Sequence, residues 1–146
     1  MTTVSPEVSQ LPEAVQRELA ERELARRHFL DYVLRMRPAG YHAGWVHKLV
    51  CEKLEQFLQD VIDLKGPRLM LFMPPRVGKS TLASEEFPSW VLGKYPQLEI
   101  ISTSYSAALP VRFSRRIRER VRDSAPFKAL FPGCQLHPEK IGRAHV

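Results

Sequence analysis

The sequence has no long apolar run, only two cysteines and no secretory signal at its start. Although 44% of the 146 residues are hydrophobic, no stretch approaches the roughly 20 consecutive apolar residues that cross a bilayer. We therefore expect no membrane partner. Cys51 and Cys134 belong to no Cys-x-x-Cys pair, which favours reduced thiols over a disulfide framework. Residues 1–10 lack a basic region followed by an apolar one, so an intracellular protein is expected.

Clustered metal ligands are also missing from the sequence. His42 and His47 lie five residues apart, which is too far for one helix face, and no carboxylate or cysteine cluster accompanies them. A histidine metal site is therefore not expected. The aromatic linker around Tyr41 is expected to pack, although contact with an adenine ring is an alternative. The net charge of +6 favours a polyanionic partner, and nucleic acid is the first candidate.

One stretch carries a specific chemistry. The apolar run Leu69–Phe72 is followed by Met73-Pro74-Pro75-Arg76-Val77-Gly78-Lys79-Ser80-Thr81, which opens a helical pattern. A strand, a tight turn and Gly-Lys-Ser at a helix start are typical of a phosphate-binding (Walker A) loop, because the backbone N–H groups then point at one anion. The usual pattern has a second glycine where this chain has Met73. The alternative is a surface turn in which Lys79 is merely solvated.

Each residue type in this loop has a physical role in the interpretation. Gly78 allows close approach of the backbone, Lys79 reaches the β- and γ-phosphates of ATP, and the Ser80 hydroxyl is a ligand for Mg²⁺. Pro74 and Pro75 lack N–H donors, so the phosphate donors lie from Arg76 onward. The predicted nucleotide-binding residues are Pro75, Arg76, Val77, Gly78, Lys79, Ser80 and Thr81.

The rest of the pattern predicts an α/β fold. Helices are expected from Pro12 to about Met36, from Trp45 to about Ile62 and from Thr81 to about Leu92, with Pro88 kinking the last one or ending it early. The charged face of the first helix alternates in sign, which indicates a solvated, self-paired surface. Residues 98–104 read as a second strand. The two strands and the intervening helix predict a parallel βαβ core, preceded by N-terminal helices, in an incomplete P-loop NTPase fold.

A further helix, from Ser106 to about Arg122, combines an apolar stripe with a strongly basic face. Six arginines occupy that face, and only Glu119 and Asp123 offset them. Binding to DNA phosphates, with Arg112, Arg115 and Arg116 as candidates, is one interpretation. A solvated face, or one paired with acidic residues elsewhere, is the other.

Taken together, these motifs resemble the large terminase subunits of tailed bacteriophages, over about residues 25–133. The shared motifs are Leu69-Met70-Leu71-Phe72-Met73-Pro74-Pro75-Arg76-Val77-Gly78-Lys79-Ser80, Phe87-Pro88, Gly93, Pro96, Ser104-Tyr105-Ser106 and Leu130-Phe131-Pro132-Gly133. The Pro-Pro-Arg-x-Gly-Lys-Ser form of the loop is fairly specific to that family, and it accounts for the missing first glycine. Pro110 departs from the usual start of the helix that contains it.

The resemblance implies an ATPase that packages double-stranded DNA into a phage procapsid. It implies a homo-oligomeric ring on the portal protein, a small terminase subunit as partner, and action in the cytoplasm of the host of a phage or prophage. Lys79 and Arg76 match the family's catalytic loop cations, and Ser80 matches its Mg²⁺ ligand. Family members also carry a C-terminal nuclease, whose carboxylate cluster this sequence lacks.

The end of the sequence suggests a predicted organisation. No apolar strand ending in paired acids follows the second strand, and residues 141–146 look like a translated sequencing adapter. The hypothesis is a gene fragment with residues 1–37 as a leader and charged helix, 38–140 as part of the ATPase domain, and 141–146 as an artefact. Such a fragment, with two unpaired strands, is expected to fold poorly and to be inactive alone.

Two other functions fit the same residues. One is a different nucleic-acid-stimulated P-loop ATPase, such as a helicase. The other is a non-catalytic, basic DNA-binding module whose loop no longer binds nucleotide.

Overall fold

A computed structural model describes residues 11–136, which form a helical, bundle-like fold. In chain order its elements are α1 (Glu13–Arg27), α2 (Phe29–Met36), α3 (Trp45–Ile62), α4 (Lys79–Thr81), a π turn (Leu82–Glu86), α5 (Phe87–Lys94), α6 (Ala108–Asp123) and α7 (Ala125–Leu130). The expected leader at residues 1–10 and the adapter-like residues 141–146 lie outside the described residues.

The predicted parallel βαβ core, and with it the α/β P-loop NTPase fold, is wrong. Residues 69–74 and 98–104 run between helices without strand structure, and neither segment forms a β-ladder with any part of residues 11–136. A strand pattern is local, whereas a ladder needs a second strand at hydrogen-bonding distance. Leu71, Met73 and Leu98 pack against the helical core instead. On the outer side, Phe72 is 87% exposed and Ile101 is 88% exposed.

The first predicted helix is two helices, α1 and α2, separated at His28. His28 adopts an extended conformation, with φ −113° and ψ 129°. The Glu55 carboxylate of α3 stabilises this break, because it accepts a hydrogen bond from the Phe29 backbone N–H at 2.9 Å and lies 3.0 Å from Nδ1 of His28. A carboxylate at a helix N-terminus also interacts favourably with the helix dipole. The break therefore depends on a partner that lies 26 residues away in sequence.

The helix after the loop contains the predicted irregularity at Pro88. A proline ring inside an α-helix clashes with the carbonyl four residues earlier and provides no N–H donor. The π turn (Leu82–Glu86) comes directly before Pro88, which lies in the first turn of α5. The wider π geometry allows the chain to continue as helix from Lys79 to Lys94.

An aromatic core joins α2, α5 and the residues after α7. The rings of Phe29 and Trp90 have centroids 5.4 Å apart, and those of Tyr32 and Phe131 are 6.2 Å apart. The Trp90 indole N–H donates to the Ala25 carbonyl of α1 at 3.1 Å. Burial of such rings is a large apolar contribution to stability, and the indole bond satisfies the one polar group of Trp90.

The self-paired surface predicted for the first helix is confirmed on α1. Arg17 pairs with Glu21 at 3.0 Å and Arg22 with Glu18 at 2.7 Å. Arg26 is different, because its Nε donates to the Leu130 carbonyl of α7 at 2.6 Å. The end of α7 is therefore attached to α1 by a charge-assisted hydrogen bond.

Helix α7 was not among the predicted elements, although the sequence contains its start signal. Ser124 caps it by accepting a hydrogen bond from the Phe127 N–H at 3.3 Å, and Pro126 lies in its first turn. A serine cap followed by a proline is typical of a helix start. The helix buries Phe127 and Leu130.

Gly93 of α5 lies directly against the ring of Phe131. A Cβ at position 93 would lie 2.4 Å from Cδ2 of Phe131, whose side chain is buried. We predict that Gly93→Ala lowers the free energy of unfolding by about 1–3 kcal/mol, because overpacking outweighs the helix propensity of alanine. Urea denaturation followed by circular dichroism measures the change.

Gly133→Ala is the matched control for this substitution. A Cβ there would meet no atom within 4 Å, and φ at Gly133 is not positive. Its free energy of unfolding should stay within about 0.5 kcal/mol of wild type. Equal stability of the two variants would contradict the packing of Gly93 on Phe131.

Candidate phosphate-binding loop

The predicted phosphate-binding residues form one loop that lines a cavity. The cavity has a volume of about 540 Å³ and lies between the extended segment 69–74 and the start of α4. Its lining consists of Pro74, Pro75, Arg76, Gly78, Lys79, Ser80 and Thr81. Val77, which was also predicted to contact nucleotide, is absent from this lining.

Two residues of the loop have left-handed backbone conformations. Gly78 has φ +80° and Arg76 has φ +63°. Glycine adopts this region without steric cost, whereas a residue with a Cβ loses roughly 1 kcal/mol or more there. The sequence-based assignment of a special backbone role to Gly78 therefore agrees with the geometry. The strain at Arg76 must be balanced by contacts elsewhere in the loop.

Four consecutive backbone N–H groups at the end of the loop have no acceptor in residues 11–136. They belong to Gly78, Lys79, Ser80 and Thr81, and the first backbone hydrogen bond of this helix runs from Leu82 N–H to the Gly78 carbonyl at 3.0 Å. Unpaired N–H groups at a helix start are the usual donors to a bound anion. The loop therefore presents a row of donors beside its cavity.

Two cations accompany these donors. Neither Arg76 nor Lys79 forms an ion pair with another residue in the described part of the chain, and both line the cavity. Pro74 and Pro75, in contrast, supply no N–H donor. The positive charge and the hydrogen-bond donors are thus concentrated on the same side of the loop, where phosphate oxygens are the chemically matched ligand.

The Ser80 hydroxyl is the only predicted protein ligand for Mg²⁺. Ser80 is exposed and lines the cavity. Residues 11–136 contain no group of three or more His, Cys, Asp and Glu side chains arranged to hold a metal ion. A single hydroxyl fits a magnesium ion whose other ligands are phosphate oxygens and water, which is how Mg²⁺ is usually bound beside nucleotides.

His47 contacts the loop from α3, a role that the sequence reasoning missed. Its Nε2 lies 3.0 Å from the Val77 carbonyl oxygen, and it would lie 3.7 Å from a Cβ at Gly78. The two residues are 30 positions apart in sequence, so no local pattern could have paired them. The absence of a metal cluster around His42 and His47 agrees with the expectation that they bind none.

Behind the loop, Glu86 of the π turn is a buried acid, 1% exposed. Its Oε1 forms an ion pair with Nε of Arg37 at 2.9 Å, whereas its Oε2 has no hydrogen-bond partner in the described residues. Burial raises the pKa of the Glu86 carboxyl above its ordinary value, and the positive charges of Arg37 and Arg120 oppose the change.

Ser89 connects this acid to α2 and α6. Its hydroxyl donates to the Glu86 backbone carbonyl at 2.8 Å, and it lies 2.7 Å from the Tyr32 hydroxyl. Nη1 of Arg120 donates to the same oxygen at 3.1 Å. Burial raises the pKa of Tyr32. The network therefore holds the π turn, α2 and α6 together.

The arginines of α6 divide into two groups. Arg116 forms an ion pair with buried Glu85 at 2.6 Å, and Arg120 bonds Ser89, so both face the helical core. Arg122 pairs with its neighbour Asp123 at 2.8 Å. The alternative of pairing with acidic residues is thus correct for these three. The other three, Arg112, Arg115 and Arg118, have no acidic partner in residues 11–136 and are exposed.

A larger groove, of about 780 Å³, lies between the loop and α6. Ser80 and Arg112 both line it, together with residues 98–104 and apolar side chains of α3 and α5. Its apolar stripe from α6 includes Leu109 and Phe113, which were predicted to pack on a sheet. One continuous surface therefore connects the Ser80 side of the loop to the start of the basic helix.

None of the helices in the described part of the chain is both long enough and apolar enough to cross a membrane. Comparison of the chain with family models, with curated proteins and with solved structures found no match.

The buried Glu86 predicts a pH dependence of stability. Its pKa is raised in the folded protein above the ordinary value of 4.5, so the folded state binds more protons between the two values. The stability that this group contributes is complete below pH 4.5 and is lost as the pH rises through the folded pKa. Glu86→Gln removes the titration. We predict that the free energy of unfolding of wild type, relative to this variant, falls from about pH 4 to neutral pH.

Urea denaturation of both proteins between pH 4 and pH 8 measures this difference. Subtraction of one from the other removes the contributions of the surface acids of lowered pKa, such as Asp60 and Asp123, which both proteins share. A difference that stays constant with pH would show that Glu86 titrates at its ordinary pKa.

Proposed function

We propose that this chain is the ATP-binding part of a phage terminase large subunit, the motor that moves double-stranded DNA into a procapsid. The observation that supports nucleotide binding is the loop at residues 74–81. There, four backbone N–H groups without acceptors and two cations without ion pairs line one cavity. The terminase assignment rests on the order of the sequence motifs and on the Pro-Pro-Arg-x-Gly-Lys-Ser form of the loop.

In this proposal the loop acts by binding and neutralising phosphate. The N–H groups of residues 78–81 bond phosphate oxygens, and the Lys79 ammonium neutralises the β- and γ-phosphates. Arg76 adds a second positive charge on the opposite side of Gly78. The Ser80 hydroxyl would hold Mg²⁺, which when bound supplies further charge neutralisation between the phosphates.

Hydrolysis requires an acceptor for the proton of the attacking water. The lining of the loop cavity contains no carboxylate, and the nearby acids Glu85 and Glu86 are paired with Arg116 and Arg37. Residues 11–136 therefore account for nucleotide binding and charge neutralisation. In the motor that we propose, turnover, the homo-oligomeric ring, the portal protein and the small terminase subunit complete the machine in the host cytoplasm.

For DNA, we propose contact through the exposed arginines of α6. Arg112, Arg115 and Arg118 follow one another at three-residue steps, so they form one strip on the helix. Phosphates of a DNA backbone are the matched ligand for such a strip, and this contact carries no sequence specificity. Arg116 is not part of the proposed surface, because its charge is used by Glu85.

The nucleotide proposal is tested by removing the charge of Lys79. We predict that Lys79→Ala weakens the binding of ATP in the presence of Mg²⁺ by about tenfold or more, since a charge-assisted hydrogen bond to phosphate is lost. Isothermal titration calorimetry with the 146-residue chain measures the affinity.

Lys53→Ala is the control, because it removes one charge from an exposed position of α3 and should bind ATP as wild type does. Equal weak binding by wild type and Lys79→Ala would contradict the nucleotide proposal and favour the non-catalytic DNA-binding module.

The DNA proposal is tested by reversing two exposed arginines, Arg115→Glu with Arg118→Glu. We predict weaker binding to duplex DNA and a decrease of about two in the slope of the logarithm of affinity against the logarithm of salt, one for each phosphate contact. Fluorescence anisotropy across a salt series measures both quantities.

Lys48→Glu with Lys53→Glu is the matched control, since it makes the same change in net charge on exposed positions of α3. An identical loss of affinity in both double variants would show that only net charge matters and that α6 is not the contact surface.

A further inference from the structure

The hydrogen bond from His47 to the Val77 carbonyl occupies a position where a helix would otherwise begin. In a regular α-helix the carbonyl of residue 77 accepts from the N–H of residue 81. Here that bond is not formed, and the Val77 oxygen lies 3.0 Å from Nε2 of His47 instead. As a result the Thr81 N–H has no acceptor in residues 11–136.

The tautomer of His47 follows from its partner. A carbonyl oxygen only accepts hydrogen bonds, so Nε2 carries the proton and donates it to Val77. Nδ1 is buried and has no hydrogen-bond partner in the described residues. It would lie 3.5 Å from a Cβ at Gly44, the residue that begins α3. The ring is thus held between the first turn of α3 and the loop.

A chain of contacts fixes the position of the imidazole. The Tyr41 ring meets it edge to face at 6.5 Å between centroids, and the Arg37 guanidinium lies 5.1 Å from the centre of the Tyr41 ring. Arg37 in turn forms the ion pair with Glu86 of the π turn. His47 is therefore supported from the helix that follows the loop as well as from its own.

We infer that His47 is a positioning residue for the phosphate-binding loop. By accepting no role in the chemistry and by bonding Val77, it holds the turn of Arg76 and Gly78 in its left-handed conformation and keeps the Thr81 N–H available to phosphate. The consequence for nucleotide affinity rests on the proposed function, whereas the effect on loop geometry does not.

The experiment compares three variants of the 146-residue chain. His47→Leu removes the donor. His47→Gln keeps an amide N–H donor at nearly the same distance from the backbone. His42→Leu is the matched control, because His42 is exposed and lies in the same linker. Far-UV circular dichroism establishes that each variant is folded, and His47→Asn, which is too short to reach Val77, replaces His47→Leu if that variant is not.

Two readouts separate the loop geometry from the nucleotide proposal. Amide chemical shifts of Gly78 and Thr81 in ¹⁵N-labelled protein report the loop without ligand, and calorimetry with ATP and Mg²⁺ reports affinity. We expect His47→Leu to shift both amides and to weaken ATP binding about five- to tenfold. His47→Gln should restore most of each effect, and His42→Leu should match wild type.

Amide shifts in His47→Leu that equal those of wild type would overturn the inference, and so would a His47→Gln variant that behaves like His47→Leu. If wild type, Lys79→Ala and all His47 variants fail to bind ATP while the amides shift as expected, the positioning role stands and the proposed nucleotide function fails.

Discussion

The ion pair between Arg37 and Glu86 is the interaction on which most of this structure depends. A carboxylate that is buried without a partner costs several kcal/mol, so the segment containing Glu86 can be buried only where a cation meets it. Arg37 supplies that cation from the end of α2. The pair fixes the π turn, and through Tyr41 and His47 it reaches the loop that precedes that turn. The loop, the irregular helix and the N-terminal helices therefore form one connected unit.

The same constraint explains the distribution of charge on α6. Glu85 and Glu86 are adjacent and both buried, and Arg116 and Arg120 approach them and Ser89 from one face of α6. Their positions, four residues apart, place both guanidinium groups on one side of the helix. The arginines at three-residue steps on the other side remain free for solvent or for a polyanion. One basic sequence thus performs two different tasks.

Helix positions could be predicted from the sequence because their signals are local. The periodicity of α3 and the glycine that follows it gave the correct start and end of this helix, and the charged face of α1 gave its surface pairs. The motif around Gly78 gave the loop, since a glycine before Gly-Lys-Ser determines a special backbone conformation on its own. Such features require no knowledge of distant residues.

The features that could not be predicted depend on partners far away in sequence. The break at His28 requires Glu55, and the loop contact requires His47 to meet Val77. The βαβ prediction was wrong for the same reason, because the apolar segments at 69–74 and 98–104 have strand-like composition but find no strand to pair with. The arginines of α6 could be counted from the sequence, but their division into inward and outward groups could not.

The two unpaired extended segments also determine how the protein behaves at high concentration. Each carries a row of backbone donors and acceptors without β partners and outward apolar side chains, with Phe72 in one segment and Ile101 in the other. This combination is a template for cross-β pairing between molecules. Only the mutual repulsion of chains with net charge +6 opposes that association, and salt screens this repulsion. Colloidal stability and DNA affinity therefore share one dependence: both decline as ionic strength rises.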